Sequence, residues 1–185
     1  MVGIRQAIVG ALLIAALNTL GDFIWARFIP AHRAVFGLLH GMVLCAGIGL
    51  YLGVLRGVAG RGAMAGALIG LGAAGGFYLL APLMGYSAMS VLWMALWAAF
   101  GLLNGTGLGE PRSSAGAALG RGVLAAVGSG AAFYAVSGIW ARSPAGAGDY
   151  AYRLACWTFA FLPGFLALLA GRHVRRDPGQ PRDVL

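Results

Sequence analysis

Charged side chains are scarce in this sequence. About 10% of its 185 residues are charged and about 60% are hydrophobic. A soluble domain of this size needs a polar exterior, with roughly 25% charged residues as the usual share. The scarcity therefore excludes a soluble domain and places the chain in a lipid bilayer. Because lipid offers no hydrogen-bond partners to the backbone, the spanning segments must be helices.

Motifs for metal, redox and catalytic chemistry are missing as well. The two cysteines, Cys45 and Cys156, lie in separate apolar runs without a C-x-x-C spacing, so we expect packing residues and no disulfide. There is no H-E-x-x-H, no G-x-S-x-G and no aspartate-rich cluster. We expect no catalytic residue, no metal and no cofactor. An enzyme is the less favoured class, and only the region of Asp22 and His40 could hold a catalytic site.

Lysine is absent: all 13 basic residues are arginine, and the net charge is +8. These arginines occur singly or in pairs beside apolar runs and form no basic amphipathic helix, which excludes nucleic acid as a partner. Membrane lipids are the expected partners instead. Together with abundant alanine and glycine, the exclusive use of arginine is typical of a GC-rich genome, and we expect a protein of the bacterial inner membrane.

Six apolar runs are long enough to cross about 30 Å of hydrocarbon. They predict an all-α fold, a polytopic membrane bundle of six transmembrane helices in a single domain over residues 1–171. The predicted spans are Ile4 to Ile24, Ala34 to Leu55, Gly62 to Met84, Ser87 to Leu103, Ala117 to Trp140 and Ala151 to Ala170. The third and fourth spans should form a tight hairpin. Residues 172–185 are predicted to form a basic cytoplasmic tail without ordered structure.

The arginines near the span ends are distributed unequally between the two sides of the membrane. One side carries Arg5, Arg56, Arg61, Arg112, Arg121, Arg172, Arg175, Arg176 and Arg182, and the other carries Arg27, Arg33, Arg142 and Arg153. By the positive-inside rule this places both termini in the cytoplasm. The first span is followed by no A-x-A cleavage site, so we expect it to be retained as a helix.

Glycines recur at steps of four residues along several spans. The pairs and triplets are Gly37 and Gly41; Gly49, Gly53 and Gly57; Gly62, Gly66 and Gly70; Gly72 and Gly76; Gly116 and Gly120. In lipid this spacing allows helix backbones to approach closely. It predicts tight helix packing, and its abundance also suggests a homo-oligomer formed through glycine faces.

Most polar side chains of the first two spans lie near one membrane face. Asn18, Asp22 and Trp25 share one face of the first helix, and Arg33 and His40 share one face of the second. Ionisable groups at this depth are costly, so we expect Asp22 to pair with Arg33 or His40. The pair could simply pin the two helices together. It could also anchor a ligand headgroup or handle protons in a transporter.

Three further expectations concern local structure. Arg153 should form an interfacial pair with Asp149. Asn104 and Thr106 should cap the fourth helix or start the turn after it. Pro82 and Pro163 should end or kink their helices.

The last third of the chain resembles the Insig family of small membrane regulators, which bind sterols in animals. The residues that carry the resemblance are Tyr134, Gly138, Trp140, Asp149, Tyr150, Ala151, Tyr152, Arg153 and Trp157. The resemblance implies a lipid-sized apolar cavity among the helices, open to the membrane. The segment from Tyr86 to Gly101 lacks the acidic residue that animal Insigs carry there.

The favoured hypothesis is an integral membrane protein that binds a lipid or another apolar small molecule in its bundle, with a regulatory role as one form of this function. The alternatives are a small secondary transporter or channel that uses Asp22 and His40, and a structural membrane subunit. The expected ligand-binding residues are Asn18, Asp22, Trp25, Arg33, His40, Tyr134 and Trp157. Further candidate walls are Met42, Phe77, Tyr78, Trp93, Trp97 and Phe133.

Overall fold

A computed structural model describes residues 2–28, 33–109, 113–136 and 146–169, without the side chains of residues 2, 25–28 and 33. These ranges form six helices: α1 (Val2–Phe28), α2 (Arg33–Val54), α3 (Ala59–Met84), α4 (Ser87–Leu102), α5 (Ala115–Val136) and α6 (Ala147–Leu169). A π-helical turn over Leu103–Gly107 continues α4. All six helices are long and apolar enough to span a membrane.

The predicted all-α bundle of six membrane helices is confirmed. The largest shifts are at the end of α1, which reaches Phe28 instead of Ile24, and at the start of α6, which begins at Ala147 instead of Ala151. The expected end of the fifth span at Trp140 and the tail of residues 172–185 lie outside the described residues. The placement of both termini in the cytoplasm stays a prediction.

The helices form a closed ring in chain order. Each helix contacts the next one, α6 returns to α1, and α4 also touches α6 across the centre. The two ends of the ring are named after their polar residues: the Asp22 end holds the last residues of α1, the first residues of α2 and the α3–α4 connection, and the Arg56 end holds the α2–α3 connection. A cavity inside such a ring can be lined by all six helices.

Helices α2 and α3 pack backbone against backbone. A methyl group added at Gly49 would overlap the main chain of Gly62 and Gly66, and one at Gly70 would overlap the carbonyl of Gly41. The predicted role of these glycine steps in close packing is confirmed. In contrast, an added methyl group at Gly72, Gly116 or Gly120 would meet open space, so these glycines are not needed for packing within the bundle.

The connection between α3 and α4 consists of two residues, Gly85 and Tyr86, which confirms the predicted tight hairpin. Gly85 has a φ of 59°, a left-handed conformation that favours glycine. Pro82 and Pro163 both lie inside helices, α3 and α6, so neither ends its helix directly. Helix α3 ends two residues after Pro82, and α6 continues for six residues after Pro163, so a kink at either proline stays a prediction.

The packed core lies mainly among α1, α4, α5 and α6. Its largest fully buried side chains include Trp97, Phe100, Phe161 and Phe165. Trp97 packs directly on Gly164, where an added methyl group would lie 2.5 Å from the indole ring. The glycine thus provides the space that lets a tryptophan from α4 reach α6.

Candidate functional site

A cavity of about 390 Å³ lies within the ring, toward the Asp22 end, and all six helices contribute to its lining. This volume falls within the range of about 300–1,000 Å³ that small-molecule sites occupy. The cavity reaches down to Cys45 on α2 and Gly70 on α3. One and two turns further toward the Arg56 end, Ile48 and Leu52 are fully buried and close the interior.

Asp22 of α1 is held by two side chains of α6. Its Oδ2 lies 3.1 Å from Nη1 of Arg153 and accepts a hydrogen bond of 2.8 Å from Nε1 of Trp157. Arg153 and Trp157 are four residues apart and therefore share one face of α6. The side chains of Arg153 and Asp22 are only 6% and 16% exposed. A buried ion pair is tolerated only when further hydrogen bonds satisfy it, as the indole does here.

A second polar pair joins α1 to α2. Nε2 of His40 lies 2.9 Å from Oδ1 of Asn18. With this oxygen as the acceptor, Nε2 carries the ring hydrogen. Phe36, one turn earlier on α2, stacks on the imidazole at a centroid distance of 5.7 Å. The ring covers Gly21, where any side chain would collide with it.

On α1, two polar atoms that line this end of the cavity have no partner among the described residues. Asn18 is 97% buried, as only 3% of its surface is exposed. Within the described ranges, Nδ2 of Asn18 and Oδ1 of Asp22 have no hydrogen-bond partner, and both residues line the cavity. The cavity thus offers one donor and one acceptor on neighbouring turns of α1. The charges of Asp22 and Arg153 cancel each other.

Aromatic side chains form the opposite wall. Trp93 stacks on Phe133 with ring centroids 4.2 Å apart, and Trp157 lies 6.3 Å from Trp93. Nε1 of Trp93 donates to Oγ of Ser129 at 2.9 Å, and this hydroxyl donates to the carbonyl of Ala160 at 2.6 Å. These bonds connect α4, α5 and α6, so the wall is rigid.

Two tyrosines line the cavity from α3 and the α3–α4 turn. The hydroxyl of Tyr78 lies against Gly37 of α2, where a methyl group would overlap it. Tyr86 lies between the two spanning segments, and partial burial raises the pKa of its hydroxyl above its ordinary value. The Tyr86 hydroxyl therefore stays protonated and can donate a hydrogen bond.

The structure brings four of the seven predicted site residues together: Asn18, Asp22, His40 and Trp157. Among the candidate walls, Phe77, Tyr78, Trp93 and Phe133 line the cavity, whereas Met42 and Trp97 do not. Tyr134 is 73% exposed and lies outside the cavity, because it faces away from the bundle on α5. The side chains of Trp25 and Arg33 lie outside the described residues.

The predicted partner of Asp22 needs correction. Its ion pair is formed with Arg153, and His40 binds Asn18 instead. Arg153 was expected at the interface beside Asp149, which accepts a hydrogen bond from the backbone of Gly146 at 3.1 Å. Arg153 is buried because α6 begins earlier than expected. The spacing of Arg153 and Trp157 on one face of an apolar helix was the signal that could have identified it.

The Arg56 end contains a separate polar group. The guanidinium of Arg56 donates to the carbonyl of Asn104, and the amide of Asn104 donates to the carbonyl of Leu168 at 3.0 Å. Asn104 therefore does not cap α4 but connects the π-helical turn to α6. The hydroxyl of Thr106 donates to the carbonyl of Leu102 at 2.9 Å, one turn back.

Comparisons of the chain with family models, curated proteins and solved structures found no significant match. They do not bear on the Insig resemblance, which stays a prediction. In the part of the chain that the structure describes, no three His, Cys, Asp or Glu side chains are grouped so that they could hold a metal ion. The candidate functional site is therefore the cavity with its polar end.

Proposed function

We propose that this six-helix membrane protein binds an uncharged amphiphilic lipid in the cavity at its Asp22 end. The observation that carries the proposal is the pair of unused polar atoms, Nδ2 of Asn18 and Oδ1 of Asp22, inside an otherwise mostly apolar cavity. Polar groups in such a site are costly unless they are hydrogen-bonded. A ligand that pairs both atoms removes this cost.

A hydroxyl is the head group that fits both atoms best. It can donate to the carboxylate of Asp22 and accept from the amide of Asn18 at the same time. An anionic head would lie beside the Asp22 carboxylate and would lose its water shell, while the charges of the described lining residues, Asp22 and Arg153, already balance each other. The apolar body of the ligand would then lie against Trp93, Phe133 and Leu96.

The ion pair favours binding over proton-coupled transport. A coupling carboxylate must exchange protons with a water-filled path during the cycle, whereas Oδ2 of Asp22 is already engaged by Arg153 and Trp157 of α6. The polar side chains are also confined to one end of the cavity. A continuous polar path across the membrane is the usual requirement of a transporter or channel.

The test is native mass spectrometry with lipid extraction, on protein purified in mild detergent. Ala73 lines the cavity, so Ala73→Phe fills it. Leu68 on the same helix is 66% exposed, and Leu68→Phe places the same aromatic side chain outside the cavity. We expect one class of neutral, hydroxyl-bearing lipid on the wild type and on Leu68→Phe, and at least tenfold less on Ala73→Phe.

Two outcomes contradict the proposal. A wild type that retains no lipid, or only the bulk phospholipids in their membrane proportions, shows that the cavity selects no ligand. Equal loss of lipid from Leu68→Phe and Ala73→Phe shows that the retained lipid sits on the outer surface. Thermal unfolding of both variants separates lost binding from lost folding.

A further inference from the structure

The bundle consists of two parts that are held together unequally. Helices α2 and α3 contact each other through their backbones along glycines of both helices and form one rigid hairpin. The other four helices are connected by the Asp22–Arg153 ion pair, by the Trp93–Ser129 bond and by the aromatic core. The cavity lies between these two parts.

The hairpin is attached to α4 at both of its ends. At the Asp22 end, the two-residue turn of Gly85 and Tyr86 joins α3 covalently to α4. At the Arg56 end, the guanidinium of Arg56 in the α2–α3 turn donates to the carbonyl of Asn104, directly after α4. These two attachments define a line along α3 and α4 about which the hairpin can rotate.

The opposite edge of the hairpin meets α1 through side chains that rest on glycines. The ring of Tyr51 covers Gly10, and the ring of His40 covers Gly21. Hydrogen bonds to α1 supplement these contacts: the Tyr51 hydroxyl donates to the carbonyl of Gln6 at 2.5 Å, and His40 bonds Asn18 at 2.9 Å. Side chains resting on a helix can separate without unpacking two interlocked backbones.

We propose that the α2–α3 hairpin rotates about α4 and opens a lateral gap between α1 and α2, through which a lipid reaches the cavity from the bilayer. The Tyr51 and His40 hydrogen bonds close this gap. The role of the gap in lipid uptake rests on the proposed function. The rotation itself does not, and it can be measured on a protein without ligand.

Electron paramagnetic resonance on the full chain in lipid nanodiscs tests the rotation. Spin labels on Leu20 of α1 and Leu39 of α2, which are 53% and 50% exposed, report on the α1–α2 gap. Labels on Leu79 and Val91, which are 78% and 39% exposed, report on the α3–α4 side. Cys45 and Cys156 are replaced by alanine for labelling. We expect two distances across α1–α2 and one narrow distance across α3–α4.

The variant Tyr51→Phe sharpens this measurement, because it removes only the hydroxyl that bonds Gln6 and leaves the cavity lining intact. Loss of one ordinary hydrogen bond should raise the ratio of open to closed hairpin about fivefold. Tyr134→Phe removes a hydroxyl from a residue that is 73% exposed and should change nothing. One narrow α1–α2 distance that Tyr51→Phe leaves unchanged, or larger motion at α3–α4, overturns the proposal.

Lipid uptake is tested by cross-linking the gap. A Cβ at Gly47 would lie 2.9 Å from the side chain of Leu17, so Leu17→Cys with Gly47→Cys can be joined by a short thiol-reactive linker. We expect at least tenfold slower exchange of deuterated lipid after linking than before. Unchanged exchange overturns the uptake route. If the unlinked variant and the wild type bind no lipid, the proposed function fails, while the spin-label distances still decide the rotation.

Discussion

The two ends of the bundle use the same kinds of residue in different ways. At the Arg56 end, polar side chains bond to backbone carbonyls: Arg56 to Asn104, Asn104 to Leu168 and Tyr51 to Gln6. At the Asp22 end, polar side chains bond to one another across helices. The carbonyls of Asn104 and Leu168 lie near the C-terminal ends of helical segments, where backbone donors are lacking, so the bonds to these two carbonyls help to fix the fold. Within the described part of the chain, Nδ2 of Asn18 and Oδ1 of Asp22 stay unused at the Asp22 end, where they line the cavity, whereas the unpaired Oε1 of Gln6 at the Arg56 end lies outside the cavity lining.

The packing of the helices also differs between the Arg56 end and the Asp22 end. Toward the Arg56 end, Gly49 and Gly53 let α2 and α3 meet along their backbones and leave no space between them. Toward the Asp22 end, rings such as His40 and Tyr78 fill the gaps between helices, and a cavity remains. Glycine content alone therefore does not make a compact bundle. The size of the side chain opposite each glycine decides whether helices close or enclose a cavity.

The largest loss in the free energy of unfolding is expected when the Asp22–Arg153 ion pair is broken. Arg153→Met leaves the Asp22 carboxylate buried with only the Trp157 indole as its partner, and the free energy of unfolding should fall by about 3–5 kcal/mol. Arg61→Met changes an exposed arginine and serves as the control. The free energy is measured by unfolding in mixed micelles.

The combination of Arg153→Met with Asp22→Asn should restore most of the lost stability, because no unpaired charge remains. A loss in Arg153→Met no larger than that in Arg61→Met would show that the pair contributes little. In that case the Asp22 end would be held by its aromatic side chains alone.

The second largest loss in the free energy of unfolding is expected when the backbone packing between α2 and α3 is disturbed. In Gly66→Val, the new side chain would collide with the carbonyl of Cys45, which belongs to a helix backbone and cannot move aside. We expect a loss of about 3 kcal/mol, near the upper end for overpacking. Gly72→Val introduces the same residue on the same helix where nothing lies within 4 Å. Equal losses in both variants would contradict the assigned packing.

The sequence predicted the helices well because the bilayer imposes strong rules on length, polarity and backbone bonding. It also predicted the functions of Gly49, Gly62 and Gly66 in packing from their spacing alone. In addition, it placed Asn18, Asp22 and His40 near one another, because four-residue spacing on α1 and the depth of His40 are local properties.

The partner of Asp22 could not be derived in the same way. Arg153 is 131 residues away, and its contact with Asp22 depends on α6 returning to α1 at the closure of the ring. Spacing along one helix gives the face on which a residue lies but not the helix that this face meets. Tyr134 illustrates the same limit, since its aromatic character suits a cavity wall and a lipid-facing surface equally well.

The last comparison makes the same substitution at two buried asparagines, one at each end of the bundle. It has the smallest expected effect on stability, but it distinguishes the two ends most clearly. Asn104→Leu removes the donor to the Leu168 carbonyl, and we expect a loss of about 1–3 kcal/mol with lipid retention unchanged. Asn18→Leu should cost about 1 kcal/mol or less, because His40 borders the cavity and is not sealed in the core. Yet Asn18→Leu removes the donor to the lipid hydroxyl, so it should retain at least fivefold less lipid in native mass spectrometry. If Asn104→Leu loses the lipid and Asn18→Leu keeps it, the assignment of binding to the Asp22 end is wrong.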